Sequence, residues 1–259
     1  MRRTSARRWK PMMVLSAALA TASCSPAQSP ATPAEARQDE AAYLPPPSVA
    51  LVESGPDAIA LQGLAAPGAR VQLNRPGGGA LGASADAAGR WRITAPATGD
   101  AQVFGLSQTL DGRTVQAEGY VFLSPEEGAW LLRAGAAARP LSSGQPRGLV
   151  IDYDRSGGTV ISGLGPADGV VVVQVNGRRS GDGRTDASGR FEIRLDGPVA
   201  TGESRLRIFG DGLNRETVLR LSAPAPLEAG PVRAIPDGAG LRIDWRTPGG
   251  GIQTTQILP

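Results

Sequence analysis

At 259 residues, with 35 Gly, 22 Pro and only 4% aromatics, the chain is long enough for two modest domains and turn-rich enough for many short strands. The formal charge of +3 belongs to the first ten positions, which hold Arg2, Arg3, Arg7, Arg8 and Lys10; the remaining 22 Arg face 24 acids, so no nucleic-acid surface is expected. There is no histidine, and Lys10 and Cys24 are the sole lysine and cysteine, which removes Ser-His-Asp, Cys-His, Schiff-base and Cys/His-zinc chemistry together. No cofactor is expected, and the chain does not read as an enzyme.

In chain order, the basic opening leads into an apolar run from Met12 to Ala20 and then Thr21-Ala22-Ser23-Cys24. The run is too short to stay in a bilayer as a helix. Small residues directly before a lone cysteine make residues 1–23 resemble a bacterial lipoprotein signal peptide; an ordinary secretory signal is the alternative. The resemblance implies that Cys24 is acylated and becomes the mature N-terminus. Ser25, where an aspartate would retain such a protein at the inner membrane, implies the outer membrane as destination. Each buried acyl methylene contributes roughly 0.8 kcal/mol, so several chains on one cysteine hold firmly.

Residues 24–47 follow as a Ser/Pro/Ala tract closing on Leu44-Pro45-Pro46-Pro47. Such a composition cannot bury enough apolar surface to order itself and reads as a disordered tether. As a flexible coil it would span roughly 25–30 Å, in the polyproline form about 70 Å.

The stretch Asp86-Ala-Ala-Gly89-Arg90-Trp91-Arg92-Ile93 then recurs as Asp186-Ala-Ser-Gly189-Arg190-Phe191-Glu192-Ile193. Self-similarity at a fixed spacing marks a duplicated unit. Gly63-Leu64 matches Gly163-Leu164, and Val71 and Leu73 match Val171 and Val173 at the same offset. Thr114-Val115 matches Thr217-Val218 at an offset of 103, which reads as a loop insertion. Alternation at Trp91/Ile93, Phe191/Ile193/Leu195 and Leu206/Ile208 predicts strands with one buried face. Asp-x-x-Gly at 86–89 and 186–189 predicts type I turns, and Pro67-Gly68 a turn that the second copy replaces with Ala167-Asp168-Gly169.

Many short strands with turn signals every 8–12 residues predict an all-β fold of two tandem antiparallel sandwiches. The succession of Gly, Pro-Gly, alternating Val/Leu strand and Asp-x-x-Gly-Arg-aromatic resembles the bacterial Ig-like domains of surface adhesins and envelope proteins. Fibronectin-like and carboxypeptidase-regulatory-like sandwiches present a similar pattern. The expected organisation is a first sandwich with a hairpin extension at 48–133, a connector at 134–147, a second sandwich at 148–224 and a C-terminal β extension at 225–259. Within the first extension, Tyr120–Leu123 and Ala129–Arg133 read as a hairpin rather than a capped helix, because Gly128 and Gly135 weaken a helix. In the last segment, Val232–Ile235, Leu241–Arg246 and Ile252–Leu258 read as strands that extend or cap the neighbouring sandwich. Thr254-Thr255-Gln256 there suits an edge.

Three constellations bear on function. Asp152 and Asp154 open the densest acidic group and are the candidate calcium ligands, weighed against plain turn chemistry. As a carboxylate pair they would also be what a glycoside hydrolase needs. Trp130 and Trp245, at comparable hairpin positions, are the candidate sugar platform, weighed against packing of those hairpins. The function expected is that of a non-catalytic, lipid-anchored envelope protein serving as interaction surface or spacer, with an envelope protein or polysaccharide as partner. The alternative is a carbohydrate-binding module, for which exposed Trp130 and Trp245 are the discriminating feature.

Overall fold

The first sandwich is built from β1 (Ser48–Ser54), β2 (Ala58–Leu64), β3 (Arg70–Asn74), β4 (Ala80–Ser84), β5 (Arg90–Pro96), β6 (Gln102–Leu110) and β7 (Arg113–Ser124). A computed structural model describes residues 43–125, 128–141, 148–238 and 240–259, so Cys24, the leader and most of the tether lie outside the described residues. One sheet runs β1-β2-β5, and the facing sheet begins β4-β3-β6-β7 and continues through β8 (Gly128–Arg133) and β9 (Arg139–Pro140). Trp91, Ile93, Leu61, Val71, Leu73, Phe104 and Leu106 fill the space between them, and Arg90, Arg92 and Thr94 stay outside as the alternation demands.

The second sandwich repeats the plan with β10 (Leu149–Asp154), β11 (Thr159–Leu164), β12 (Val170–Val175), β13 (Arg178–Arg184), β14 (Arg190–Arg194), β15 (Gly202–Gly210) and β16 (Leu213–Leu221). Its four-stranded sheet is β13-β12-β15-β16. Its other sheet is β14-β11-β10 extended by β19 (Ile252–Leu258), β18 (Gly240–Arg246) and β17 (Val232–Asp237). All pairings are antiparallel.

The repeated turns serve the same end in both copies. Asp86 Oδ1 accepts from the N–H groups of Ala88 and Arg90, both at 2.8 Å, and Asp186 Oδ1 accepts from those of Ser188 and Arg190 at 2.8 and 3.0 Å. Gly89 and Gly189 then close the turn at φ 75° and 78°. At the turn where the first copy has Pro-Gly, Gly68 sits at φ 75°. Asp168 takes that conformation in the second copy at φ 55°, an Asp tolerating what Gly does freely.

The apparent slip of the repeat to 103 is not structural. β6 and β15 begin one hundred residues apart, as do the Asp111-Gly112 and Asp211-Gly212 turns that follow them. Thr114 pairs with Thr109 whereas Thr217 pairs with Leu206, so the two threonines occupy different rungs. The copies diverge farther along, at a register shift between Gly105 and Ser107 against β7. Beyond it β7 continues into the extension hairpin, pairing Tyr120–Ser124 with Gly128–Leu132 as the alternation suggested.

Two expected boundaries move. Leu44 is buried against Ala66 and Ala69, and Gln108 reaches from the N–H of Ala66 (2.7 Å) to the carbonyl of Pro45, so 44–47 belong to the first sandwich rather than the tether. Of the connector, Ala137, Ala138 and Leu141 are buried and 139–140 form β9; residues 142–147 lie outside the described residues.

Candidate functional site

The two extensions face each other and create a third core. Phe122, Trp130, Leu132 and Ala138 from the first sandwich's side pack on Val150, Leu241, Ile243, Trp245 and Ile257 from the second's. Strand parity explains how. In β7, Val121 and Leu123 enter the first core while Phe122 enters the third; in β10, Leu149 and Ile151 enter the second core while Val150 enters the third. Such strands are buried on both faces, which is why Tyr120-Val-Phe-Leu and Leu149-Val-Ile read as continuous apolar runs. Tyr120 meets the Trp245 ring edge-on at 5.9 Å. Leu44–Pro259 accordingly form one compact unit.

Trp130 and Trp245 are each 1% exposed. They do not form a sugar platform: their ring faces are spent on each other's hairpins, the packing alternative. Trp91 lies in the first core as alternation predicted.

β19 is not an edge. It lies between β10 and β18, with Gln253, Thr254, Thr255 and Gln256 all buried. Its polar side chains go inside because carboxylates from neighbouring strands meet them, although the buried amide oxygen of Gln256 is left without a partner among the described residues. On the third-core face Asp152 is the hub. Its Oδ2 accepts the Ala138 N–H at 2.8 Å, and its Oδ1 accepts the Thr255 hydroxyl at 2.5 Å and the Gln253 amide at 3.3 Å. Thr255 Oγ1 in turn accepts the Trp245 indole N–H at 3.2 Å. Gln253 also donates to the Arg133 carbonyl (3.1 Å) and accepts the Gly135 N–H (2.8 Å). Beside it Glu192 takes Arg133 at 2.7 Å and the Ala137 N–H at 3.1 Å, and Arg194 donates to the Gly135 carbonyl.

On the opposite face of the same sheet Asp244 accepts Arg242 (2.9 Å), Arg233 (2.5 Å) and Thr254 (2.6 Å). Arg242 and the Tyr153 hydroxyl both hold Ser222, whose carbonyl they reach at 3.2 and 3.1 Å. Burial pushes the Tyr153 phenol above its ordinary value.

Burial pushes the Asp152 carboxyl up from 3.8 to about 7; its hydrogen bonds to Thr255, Ala138 and Gln253 pull the other way, and the Glu192 charge adds to the rise. Among the described residues no cation is bonded to it. Asp154 is engaged differently, accepting Ser156 N–H and hydroxyl (2.8 and 2.6 Å) and the Gly158 N–H (3.2 Å) in an exposed Asx turn. The two carboxylates therefore do not converge on a substrate or an ion. Asp152 is ringed by N–H and O–H donors, the reverse of a cation's demand for oxygens, and among the described residues no three of His, Cys, Asp or Glu are grouped to hold a metal. In this arrangement the two carboxylates face separate partners, Asp152 inward to the joint and Asp154 in its own exposed turn. A cleft of about 160 Å³ opens next to the hub, lined by Arg133, Ala137, Pro140, Leu164, Arg190 and Glu192.

Reading the sequence missed Asp244, Arg242 and the polar run of β19. Leu241-Arg-Ile-Asp-Trp245 alternates like a half-wet strand, and no local signal tells that another segment covers the polar side.

No protein-family model matches the chain, and no curated protein matches it. Among solved structures the chain is similar to a "Biofilm associated protein - BSP domain" (12% identity, TM-score 0.23, 70% of this chain and 30% of that one). It is also similar to a "Central Fibronectin-III array of RIM-binding protein" (13%, 0.28, 78% and 72%). A third is the adhesin described as "Ca2+-stabilized adhesin helps an Antarctic bacterium reach out and bind ice" (13%, 0.23, 83% and 66%). The chain thus spans under a third of the first and about two thirds of the third. Overlaps this small carry no argument about activity, and the all-β tandem-sandwich class rests on the strand order and pairing above.

Proposed function

We propose that the chain is a non-catalytic, lipid-anchored protein of the bacterial cell envelope in which the fused sandwiches act as a spacer that presents surface to an envelope partner. In this reading acyl chains on Cys24 hold it to the outer membrane, and residues 25–43 supply reach. The observation that carries it is the third core: two sandwiches joined by a shared hydrophobic layer transmit position, whereas two on a loose linker would not. Among the described residues the one carboxyl displaced toward neutrality is Asp152, 2% exposed and hydrogen-bonded on both oxygens, which suits a structural role. A polysaccharide partner gains nothing from Trp130 and Trp245, both interior.

Fatty-acid labelling in the native envelope tests the anchor: the parent chain labels and Cys24→Ala does not. Equal labelling of the two would remove the lipid from the proposal. Crosslinking in the same envelope tests the spacer, which requires a captured partner besides lipid.

A further inference from the structure

The outward faces of the sheets that hold β3 and β12 share a plan and differ in side chains. Opposite Gln72 and Asn74 of β3 the first sandwich sets Ser107 and Gly105. Opposite Val172 and Gln174 of β12 the second sets Phe209 and Arg207. Val170 and Val218 flank them, 38% and 48% exposed. A place filled by small polar residues in one copy therefore holds an arginine among apolar side chains in the other.

A groove of about 600 Å³ runs over this second face, lined by Gln174, Asn176, Arg205, Arg207, Glu216 and Val218. Most charges around it are committed. Glu216 stands opposite Arg207 in the ladder but takes the Arg205 guanidinium, at 3.3 Å. Glu203 takes Arg220 at 2.8 Å, and Asp182 takes Arg179 at 2.8 Å. At the end of the face Arg184 donates to the Asp168 carbonyl, and Asp211 accepts the Val170 N–H at 3.0 Å. Arg207 is left without a carboxylate among the described residues; its guanidinium lies over the Phe209 ring, 5.0 Å from the centroid. Directly across from it on β12, the half-buried Gln174 has a side-chain amide with no hydrogen-bond partner among the described residues. Opposed residues on neighbouring strands hold their Cβ atoms about 4.5–5.5 Å apart, so this guanidinium and this amide N–H can reach one carboxylate together.

We propose that this face of the second sandwich docks an acidic segment of a protein partner, its carboxylate received by Arg207 and Gln174 and its aliphatic neighbours lying on Val172, Phe209 and Val218. An arginine set among aromatic and aliphatic side chains is the makeup of a protein contact surface. A sugar ring would need an open aromatic face, and that of Phe209 is covered by Arg207. The proposal rests on the reading of the fused sandwiches as presenting surface to a partner, and it names the surface and the chemistry it takes. It requires no acyl chain on Cys24, so binding by the purified chain tests it apart from the anchor.

The test titrates two synthetic peptides into the full chain, followed by calorimetry and by the side-chain amide resonance of Gln174. One peptide carries glutamate between valines, the other glutamine at the same place. The glutamate peptide should bind about tenfold tighter, an advantage that fades as salt rises past about 0.1 M. Arg207 is exposed, so Arg207→Gln should unfold in urea as the parent does. It should weaken the glutamate peptide about tenfold and leave the glutamine peptide unchanged, the two changes together costing no more than either alone. Glu216→Gln, which frees Arg205 beside the groove, should tighten the glutamate peptide about threefold. Equal affinity for the two peptides overturns the site, and so do losses that add. Polygalacturonate bound more tightly than the glutamate peptide overturns the polypeptide as its occupant. A glutamate peptide that fails to bind a chain still acylated in the envelope overturns this site and leaves the anchor standing.

Discussion

The face that the second sandwich buries in the joint has a duplicate on the first sandwich, and the two have been given opposite uses. Paired strands align them: Leu51 and Val150 stand opposite Gln62 and Ser162, Glu53 and Asp152 opposite Ala60 and Val160, Arg92 and Glu192 opposite Gln62 and Ser162 again. On the second sandwich Asp152 and Glu192 turn to the neighbouring hairpin and meet its N–H groups and Arg133. On the first, Arg92 and Gln62 both bond to Glu53, at 3.0 and 3.1 Å, and the face closes on itself in solvent. The substitution of Arg92 for Glu192 places a like charge where Arg133 would arrive. A duplicated scaffold thus gives one face that docks this hairpin and one whose charges pair among themselves in solvent, without any change of fold.

The largest test of that contrast is removal of a junction indole. Trp245→Ala should cost about 3–5 kcal/mol, as a fully buried aromatic does, measured by urea denaturation of the full chain. An effect near zero would mean that the third core is a contact and not a core. Next come the glycines beneath the repeated aromatic. A Cβ on Gly63 would lie 1.8 Å from the Ser48 carbonyl oxygen, fixed backbone, whereas one on Gly163 would meet only the side chains of Phe191 and Leu149 at 2.9–3.0 Å. Gly63→Ala should therefore destabilise by about 2–3 kcal/mol and Gly163→Ala by about 1 kcal/mol in the same assay, the side chains giving way where backbone cannot. Smallest is the charge itself. Glu192→Arg, which strands the Ala137 N–H and opposes Arg133, should cost about 1–2 kcal/mol, while Arg92→Glu, which exchanges an exposed pair for an exposed carboxylate beside Glu53, should stay below about 1 kcal/mol. Equal losses would erase the asymmetry.

The sandwiches themselves were legible because their signals are local. Trp91/Ile93 and Phe191/Ile193 alternate about turns whose Asp and Gly act within four residues of each other. The hairpin at Tyr120–Arg133 was readable for the same reason. The joint was not, because its meaning lies in long-range pairs. Thr255 looks like an edge residue until Asp152, 103 positions away, is placed beside it. Trp130 and Trp245 sit on the hairpins foreseen for them, yet only the meeting of those hairpins decides that the rings are interior. The match of Thr114 to Thr217 failed differently, as a chance likeness of β-prone residues three rungs apart in the aligned copies.

The place of β19 between β10 and β18 has a bearing on how the chain reaches this state. A growing chain exposes β10, with its two apolar faces, about a hundred residues before the strand that will flank it. The first sandwich has its own strands early, but the Trp130 side of its hairpin waits for the same late arrival. Maturation therefore runs from the first module inward and finishes at the joint. Until β19 is in place, the protein carries an unsealed hydrophobic seam that is a natural target for chaperones and proteases.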